Sequence, residues 1–394
     1  MTEDIDDVFV PPLADGIYLG LSNDEYHLDT AKGSTDGKDI LTNPVQWFAE
    51  NRNTEWEAIQ RLFMTPKEQE AADRVSAAKL FGTALHTILL EPDKFDERYM
   101  ETPPRPELPK TKEQIAEAIR ASGGVPPATV KLRDVFVQEA HARGITVYED
   151  WDAELEIWRN GRELLSPRTV MRLKVFKALA QKHSNAGKFL KNGRSEVSVF
   201  WTDEYGHRYK ARFDYLRVKT VADLKSYAVR HGSGAIDTFV GAIDTFAYDF
   251  SAAWYMDCRT TVLPKLVAEG KVYRPHPTHL NSGEDYVAID PASEDMEFFR
   301  KVAAFENPVW VWITCATGGY PEVDAIEFPT DTLRYSAAQF QVADAKRRYR
   351  EFYEKFGEDP TVPWIEDRKL VRLTDFNLSS QRATNRGAIM WESV

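Results

Sequence analysis

The chain has 394 residues, 43% of them hydrophobic and 12% aromatic, and its formal net charge is −12. This length and composition allow a large core, in one big domain or in two to three smaller ones. The acidic balance argues against a protein that coats nucleic acid through bulk charge, so any nucleic-acid contact would need local basic stripes. The sequence contains no run of about 18 apolar residues, so no membrane span is predicted.

The amino-terminal residues and the cysteines favour a cytoplasmic location. The amino-terminal residues 1–7 are acidic and lack the apolar core of a secretion signal. Cys258 and Cys315 are the only cysteines, and they form no metal-spaced pair. We expect both to remain free thiols in a reducing compartment.

The amino-terminal half is predicted to be mainly helical. Apolar periodicity and cap signals predict helices over 34–52 with a break at Pro44, 68–90, 111–122, 127–143, and 150–190 with an interruption at Pro167. Residues 101–190 are therefore expected to form a helical elaboration of the fold.

A β signal begins at Glu196, where apolar and polar residues alternate. It predicts a hairpin over 196–218 with its turn at 203–206, followed by a third strand over 221–226. Similar patterns predict a helix over 235–258, strands over 308–316 and 322–328, and a closing helix over 331–356. The fold class expected is α/β, with a mixed central sheet flanked by helices.

Two further segments have no clear role in this fold. Residues 258–305 contain four prolines and are predicted to be an insertion, while residues 376–394 are polar and aperiodic and are predicted to be a flexible tail. We therefore expect one domain over residues 1–375.

Four polar residues of the predicted strands have the spacing of a metal-dependent phosphodiesterase. Asp223 and Lys225 stand at i and i+2 of one strand and so point to the same side. Asp214, one strand earlier, can face Asp223, and Glu196 can add a third carboxylate. His86 would approach from the helix that ends near residue 90, and Gly82, one turn earlier, would permit close approach.

These residue types suit the hydrolysis of a phosphodiester. Divalent ions stabilise the charge that develops on the phosphate and on the leaving oxygen, and they lower the pKa of a bound water. Mg²⁺ prefers oxygen ligands, so carboxylates are expected, and Mn²⁺ is expected to substitute. We predict that His86, Glu196, Asp214 and Asp223 bind the metal and that Lys225 acts on the water or the phosphate.

Simpler interpretations of the same residues stay open. Acid-x-Lys also occurs at Asp36-Gly37-Lys38, at 269–271 and at 367–369, but only the Asp223 copy lies in a β-like segment after a hairpin. The carboxylates and Lys225 could be surface strand charges, and His86 could be a hydrogen-bonded core histidine. Two basic stripes, 168–182 and 346–350, could contact DNA or could be solvated helix faces.

The order of several motifs carries more information than any one of them. The motifs are Gly16-Ile17-Tyr18, Ser22 to His27, Gly33-Ser34, Leu41 to Phe48, Phe81 to His86, Leu90 to Phe95, Glu196, Arg212-Phe213-Asp214, Asp223-Leu224-Lys225, Val311-Trp312-Ile313 and Tyr320-Pro321. In this order the chain resembles the exonuclease VIII (RecE-type) family of phage recombination exonucleases, which belongs to the PD-(D/E)xK superfamily.

The resemblance implies a function and a site. By it, His86, Glu196, Asp214, Asp223 and Lys225 take the active-site roles. The family digests linear double-stranded DNA with Mg²⁺, leaves single strands for an annealing partner protein, and acts as a ring-like homo-oligomer that encloses DNA. A bacteriophage protein of this kind would work in the bacterial cytoplasm.

DNA contacts are expected from Arg212 and from a helix after the Asp-x-Lys strand. The family usually carries Gln-x-x-x-Tyr on that helix, whereas here Tyr255 is present and Ser251 stands where Gln is expected. This departure keeps two alternatives open. One is a catalytically weak or inactive DNA-binding or interaction protein on the same fold, for example one acting against host defence; the other is an endonuclease of the same superfamily.

Overall fold

The computed structural model describes residues 12–52, 66–127, 132–276, 286–357, 359 and 361–365. The predicted tail at 376–394 lies outside the described residues. The helices are α1 (Asn23–Leu28), α2 (Ser34–Thr42), α3 (Pro44–Arg52), α4 (Pro66–Leu90), α5 (Phe95–Arg98), α6 (Lys112–Ala121), α7 (Arg133–Ala142), α8 (Tyr148–Arg159), α9 (Pro167–Lys182), α10 (Ala186–Phe189), α11 (Ala235–Phe246), α12 (Tyr248–Asp257), α13 (Leu263–Ala268), α14 (Glu294–Ala304) and α15 (Leu333–Phe356). The strands are β1 (Gly16–Tyr18), β2 (Tyr99–Glu101), β3 (Glu163–Leu165), β4 (Arg194–Thr202), β5 (Arg208–Leu216), β6 (Thr220–Tyr227), β7 (Val272–Pro275), β8 (Tyr286–Ala288), β9 (Val309–Ala316) and β10 (Glu322–Phe328).

The chain forms two compact units, one of Met1–Gly82 with Ala178–Val394 and one of Thr83–Lys177. The first unit contains an eight-stranded sheet in the order β10-β9-β6-β5-β4-β1-β7-β8. The β6–β9 and β1–β7 pairs are parallel, and the other pairs are antiparallel. The mixed central sheet with flanking helices confirms the predicted α/β fold class.

The core of the first unit lies between the sheet and helices α11 to α15. Inward-facing residues of β4, such as Val197 and Val199, are fully buried there together with aromatic rings of the helices and of β9, among them Phe239, Trp254 and Trp310. Burial of each large apolar side chain contributes about 1.5–3 kcal/mol. This packing holds β4, β5, β6 and β9 in a fixed register.

The three-residue strand β1 joins distant parts of the chain. It pairs with β4 on one side, for example Ile17↔Val199, and with β7 on the other. A Cβ on Gly16 would collide with the ring of Tyr273, so this close approach requires glycine. The sequence analysis gave no strand here.

Residues 258–305 were predicted to be an insertion, and their described part is integral to the first unit. A π-helical turn (Cys258–Val262) leads into α13, β7 and β8 extend the main sheet, and α14 places Phe299 in the core. Two of the prolines that suggested an insertion, Pro264 and Pro275, stand at the start of α13 and at the end of β7.

The second unit contains most of the predicted helical elaboration. Helices α6 and α7 enclose a small core of their own that includes Ile115, Ile119, Phe136 and Ala140. The parallel pair of β2 and β3 was not predicted, because three-residue strands are too short to show a period. Across the described ranges, no helix is both long enough and apolar enough to cross a membrane.

Candidate active site

Glu196 and Asp214 stand opposite each other on β4 and β5. The ladder pairs Ser195 with Tyr215 and Val197 with Phe213, which places Glu196 and Asp214 between these two pairs. Carboxylate oxygens of the two side chains lie within 4.8 Å of each other. A modest side-chain rotation would let both bind one cation.

The backbone of Glu196 is left-handed, with φ of 51°, although it lies inside a strand. This conformation costs a residue other than glycine about 1–2 kcal/mol. Strained residues of this kind cluster at active sites, where the surrounding structure holds them in place. At Glu196 the flanking ladder pairs supply that support, and the strain identifies the carboxylate as a functional candidate.

The β5 and β6 strands diverge at the candidate site. Their ladder consists of Tyr215↔Ala222 and one further pair, and Asp214 and Asp223 would be the next residues in register. There the Leu224 N–H donates to the Asp214 carboxylate at 2.7 Å. The Asp214 side chain therefore accepts a hydrogen bond where a backbone carbonyl would accept it in a continuous ladder. The Asp214 and Asp223 carboxylates both lie where the two strands separate.

Asp223 and Lys225 form a close ion pair on β6. The distance from Lys225 Nζ to Asp223 Oδ2 is 2.7 Å, and the Asp223 side chain is only 5% exposed. Burial disfavours the charged ammonium, but Asp223 and Asp214 outweigh that effect and hold the pKa of Lys225 above its ordinary value. The charged form of Lys225 is therefore favoured at neutral pH.

Arg212 contacts Glu196 rather than projecting freely toward solvent. Its Nε lies 2.8 Å from Glu196 Oε2, and its terminal nitrogens donate to the backbone carbonyls of Leu21 and Ser22. The guanidinium also lies over the Tyr26 ring, 5.2 Å from the centroid. The structure therefore gives Arg212 a position that fixes Glu196, and the predicted DNA contact stays a prediction.

One face of α12 carries Tyr248, Ser251 and Tyr255, which are spaced by three and four residues. The Lys225 ammonium lies 5.4 Å from the centre of the Tyr248 ring. Burial, with a contribution from Asp223, raises the pKa of Tyr255 to about 12, so its phenol stays protonated. Ser251 is buried between these two positions at 8% exposure, so its predicted DNA contact also stays a prediction.

Lys38 of α2 is a residue of this site that the sequence analysis did not select. Burial and, to a smaller extent, the neighbouring Lys225 charge lower the pKa of Lys38 to about 8, while Asp223 opposes the shift. Its Nζ donates to the Phe246 carbonyl at 3.0 Å. No local signal pointed to it, because its Asp-x-Lys motif lies on a helix and the tertiary fold brings it to β6.

His86 lies in α4, where it is half-buried, and it belongs to the second unit. Its predicted metal contact stays a prediction. Gly82, one turn earlier, was expected to permit close approach. A Cβ there would lie 3.6 Å from Ser226 Oγ, which is ordinary van der Waals contact, so the packing at this position does not require glycine.

The two basic stripes differ in their surroundings. In the stripe at 346–350, Lys346 pairs with Asp257 at 2.7 Å and Arg347 pairs with Asp344 at 2.5 Å. Acidic residues of the same unit therefore neutralise much of the charge of this stripe. Arg168 and Lys174 of the α9 stripe are exposed.

The donor set of the site fits a hard divalent cation. Glu196, Asp214 and Asp223 supply carboxylate oxygens, which Mg²⁺ and Mn²⁺ prefer, and thiolates are absent from the strand positions that form the site. The left-handed backbone of Glu196 and the divergence of β5 from β6 both occur at the residues that carry these oxygens.

A mixed sheet whose adjacent strands carry Asp and Asp-x-Lys around a gap defines the PD-(D/E)xK class of nuclease domains. Residues 53–268 match the model of a family described as "PDDEXK-like domain of unknown function (DUF3799)". The match covers more than half of the chain, and the chain belongs to this family. All of the predicted site residues, from His86 to Tyr255, fall inside the matched range.

Two other comparisons add little. No curated protein matches the chain. A crystal structure of a protein from Eubacterium rectale, named "Putative exonuclease", is 12% identical with a TM-score of 0.30, and the alignment covers 71% of this chain and 94% of that one. The family match therefore carries the assignment to the PD-(D/E)xK superfamily, whose nucleases use divalent metal ions.

Proposed function

We propose that this protein is a Mg²⁺-dependent DNA exonuclease of the RecE type, which degrades linear double-stranded DNA and leaves single strands for recombination. The observation that carries the proposal is the approach of the Glu196 and Asp214 carboxylates to each other, beside the Asp223–Lys225 pair on the neighbouring strand β6. The order of motifs along the chain supports the RecE type within the superfamily.

In this proposal each residue has a distinct role. Glu196, Asp214 and Asp223 would supply oxygen ligands to a divalent ion, and His86, as the sequence predicts, would supply a nitrogen ligand. The bound ion would lower the pKa of a water and stabilise charge on the phosphate. Lys225, held as a cation by Asp223, stabilises the charge that develops on the phosphate in the transition state. Arg212 keeps Glu196 oriented toward the ion.

The biological setting is part of the same proposal. A ring-like homo-oligomer around the duplex would allow degradation only from a free end. A single-strand annealing protein would receive the strand that remains. The bacterial cytoplasm, for a phage-encoded protein, is the compartment in which both partners meet.

One observation favours an alternative function. Ser251 is too short to make the reach of the family's usual Gln, which weakens the contact from α12. A catalytically weak DNA-binding or interaction protein on the same fold would tolerate this loss. The three carboxylates and Lys225 favour an active enzyme, since a purely binding surface needs no cluster of negative charge.

The test compares end-labelled linear duplex with covalently closed circular duplex, each incubated with Mg²⁺, with Mn²⁺ or with EDTA. We expect the linear DNA to be degraded with either metal ion and the closed circles to be spared. Lys225→Ala should bind DNA nearly as well as the parent and cleave it slower by orders of magnitude, because the ammonium acts in the transition state.

Other results would change the assignment. Rapid nicking of closed circles would favour the endonuclease of the same superfamily. Binding without cleavage by the parent would favour the interaction protein. Equal cleavage rates for Lys225→Ala and the parent would remove Lys225 from the mechanism.

A further inference from the structure

An exposed aromatic ring stands beside the candidate active site. Phe246, the last residue of α11, is 55% exposed. Single exposed apolar residues are common on protein surfaces and need no explanation. Phe246, however, is stacked on Tyr248, with ring centroids 5.5 Å apart and planes inclined by 27°. One face of the Phe246 ring is therefore covered by Tyr248.

The inner ring of this pair connects it to the catalytic lysine. Lys225 Nζ lies 5.4 Å from the centre of the Tyr248 ring, and Tyr248 also stacks on the buried Phe239 at 6.0 Å. Each group therefore contacts the next, from the exposed Phe246 ring through the Tyr248 ring and the Lys225 ammonium to the Asp223 carboxylate. Any strand with a phosphate at Lys225 would bring an adjacent base near these rings.

The backbone between the two rings is strained and held in place. Ala247 has φ of 47°, in the left-handed region, and it ends α11 and begins α12. Such a backbone costs alanine about 1–2 kcal/mol. Because the kink sits between Phe246 and Tyr248, it determines how the two rings stack.

Two cationic side chains contact the residues of this kink. Arg334 of α15 pairs with Asp244 at 2.5 Å and with Asp249 at 2.9 Å, one on each side of the kink. Lys38 donates to the Phe246 carbonyl at 3.0 Å. A strained turn secured in this way keeps the exposed ring in one orientation, as a preorganised binding surface requires.

We propose that Phe246 is a stacking platform for an unpaired nucleobase next to the scissile phosphate, with Tyr248 as its inner support. The ligand class is single-stranded DNA, or the frayed end of a duplex. Aromatic side chains bind single strands in this way without regard to sequence, because every base has a π face. This inference rests on the proposed nuclease function and deepens it by naming the strand form that enters the site.

The nearby charges favour DNA over a protein partner. Lys225 and Lys38 lie beside the ring pair and suit phosphates on either side of a stacked base. A second copy of this chain, or another protein, could also cover an exposed phenylalanine. If a protein covers Phe246, replacing Phe246 should change the oligomeric state and leave DNA binding unchanged.

The test uses the full chain and a 12-nucleotide strand that carries 2-aminopurine, whose fluorescence falls when the base stacks. Binding is measured in Ca²⁺, and cleavage is measured separately in Mg²⁺. Phe246→Leu keeps an apolar side chain and removes the π face, while Phe246→Trp keeps a π face. Phe340→Leu is the matched control, since Phe340 is also exposed, at 59%, but lies on α15.

The parent should quench the probe, and Phe246→Leu should bind it about 5- to 100-fold more weakly with little quenching. Phe246→Trp and Phe340→Leu should behave like the parent. If Phe246→Leu binds and quenches as the parent does, the platform is refuted while the nuclease assignment stands. A changed oligomer mass with unchanged DNA binding would also overturn it. A parent that neither binds nor cleaves DNA would refute the proposed function, and the platform with it.

Discussion

Replacing Lys225 with methionine tests the electrostatics of the site independently of catalysis. Methionine nearly preserves the length of the side chain but leaves Asp223, whose side chain is 5% exposed, without its cation at 2.7 Å. Breaking a buried ion pair from one side costs about 3–5 kcal/mol. Because the Lys225 side chain is 23% exposed, the low end of about 3 kcal/mol is appropriate. In a protein of this size that loss lowers the Tm by roughly 5 °C.

The assay is thermal unfolding of the parent and of Lys225→Met, with EDTA and with Mn²⁺. Without Lys225 the carboxylates lack their internal cation, so Mn²⁺ should stabilise the variant more than the parent. Lys301→Met is the control, because the Lys301–Glu297 pair is more than 60% exposed on both sides and should matter little. Equal Tm values for the parent and Lys225→Met, together with equal Mn²⁺ shifts, would refute the reasoning.

The pH dependence of the same pair has a definite sign. The pKa of Lys225 is raised in the folded protein, so its stabilisation is complete below the ordinary lysine value of about 10.4. It is lost as the pH rises above that value toward the folded pKa. The Tm difference between parent and Lys225→Met should therefore be constant from about pH 6 to 9 and narrow only in more alkaline buffer.

Three further substitutions probe the backbone and the neighbouring side chains. Glu196→Gly should be more stable than Glu196→Ala by about 1 kcal/mol in urea unfolding, because glycine tolerates the left-handed backbone; the reverse order would mean that the strain is absent in solution. Asp214→Asn should keep the hydrogen bond from the Leu224 N–H, and so keep its Tm, yet lose most of the Mn²⁺ shift, whereas Asp214→Ala should lose both. Ser251→Gln should retain the fold and at least preserve nuclease activity, since Tyr255 keeps the second half of the motif in register one turn away; a clear drop in activity at an unchanged Tm would mean that α12 has a different role here.

The secondary-structure elements that could be predicted are those with a pattern within their own residues. The β4–β5 hairpin, β6 and β9 were predicted within a few residues, because alternation of apolar and polar residues is visible in a single strand. The same alternation placed Asp223 and Lys225 on one side of β6. The structure agrees with this shared side, since Lys225 Nζ lies 2.7 Å from Asp223 Oδ2.

What the sequence could not show depends on contacts between distant residues. β1 and β7 are three and four residues long, so their strand character comes from their partners rather than from a pattern. The left-handed backbone at Glu196 carries no composition signal, because the residue there is neither glycine nor asparagine. The division of residues 235–258 at Ala247 was missed for the same reason. Lys38 joins the site only because the fold brings α2 to the end of α11.

The pairing of β1 with β4 has a consequence for the order of folding. Ile17 meets Val199 across a stretch of chain that contains the whole of Thr83–Lys177. Closing so long a loop costs conformational entropy before the β1–β4 contacts can stabilise it. The contacts between α6 and α7, by contrast, join residues that are near in sequence and form quickly. Once the second unit has folded, the intervening chain is effectively shorter and the cost of closure falls. The second unit would therefore act early in folding, as a spacer that makes it easier for β1 to pair with β4.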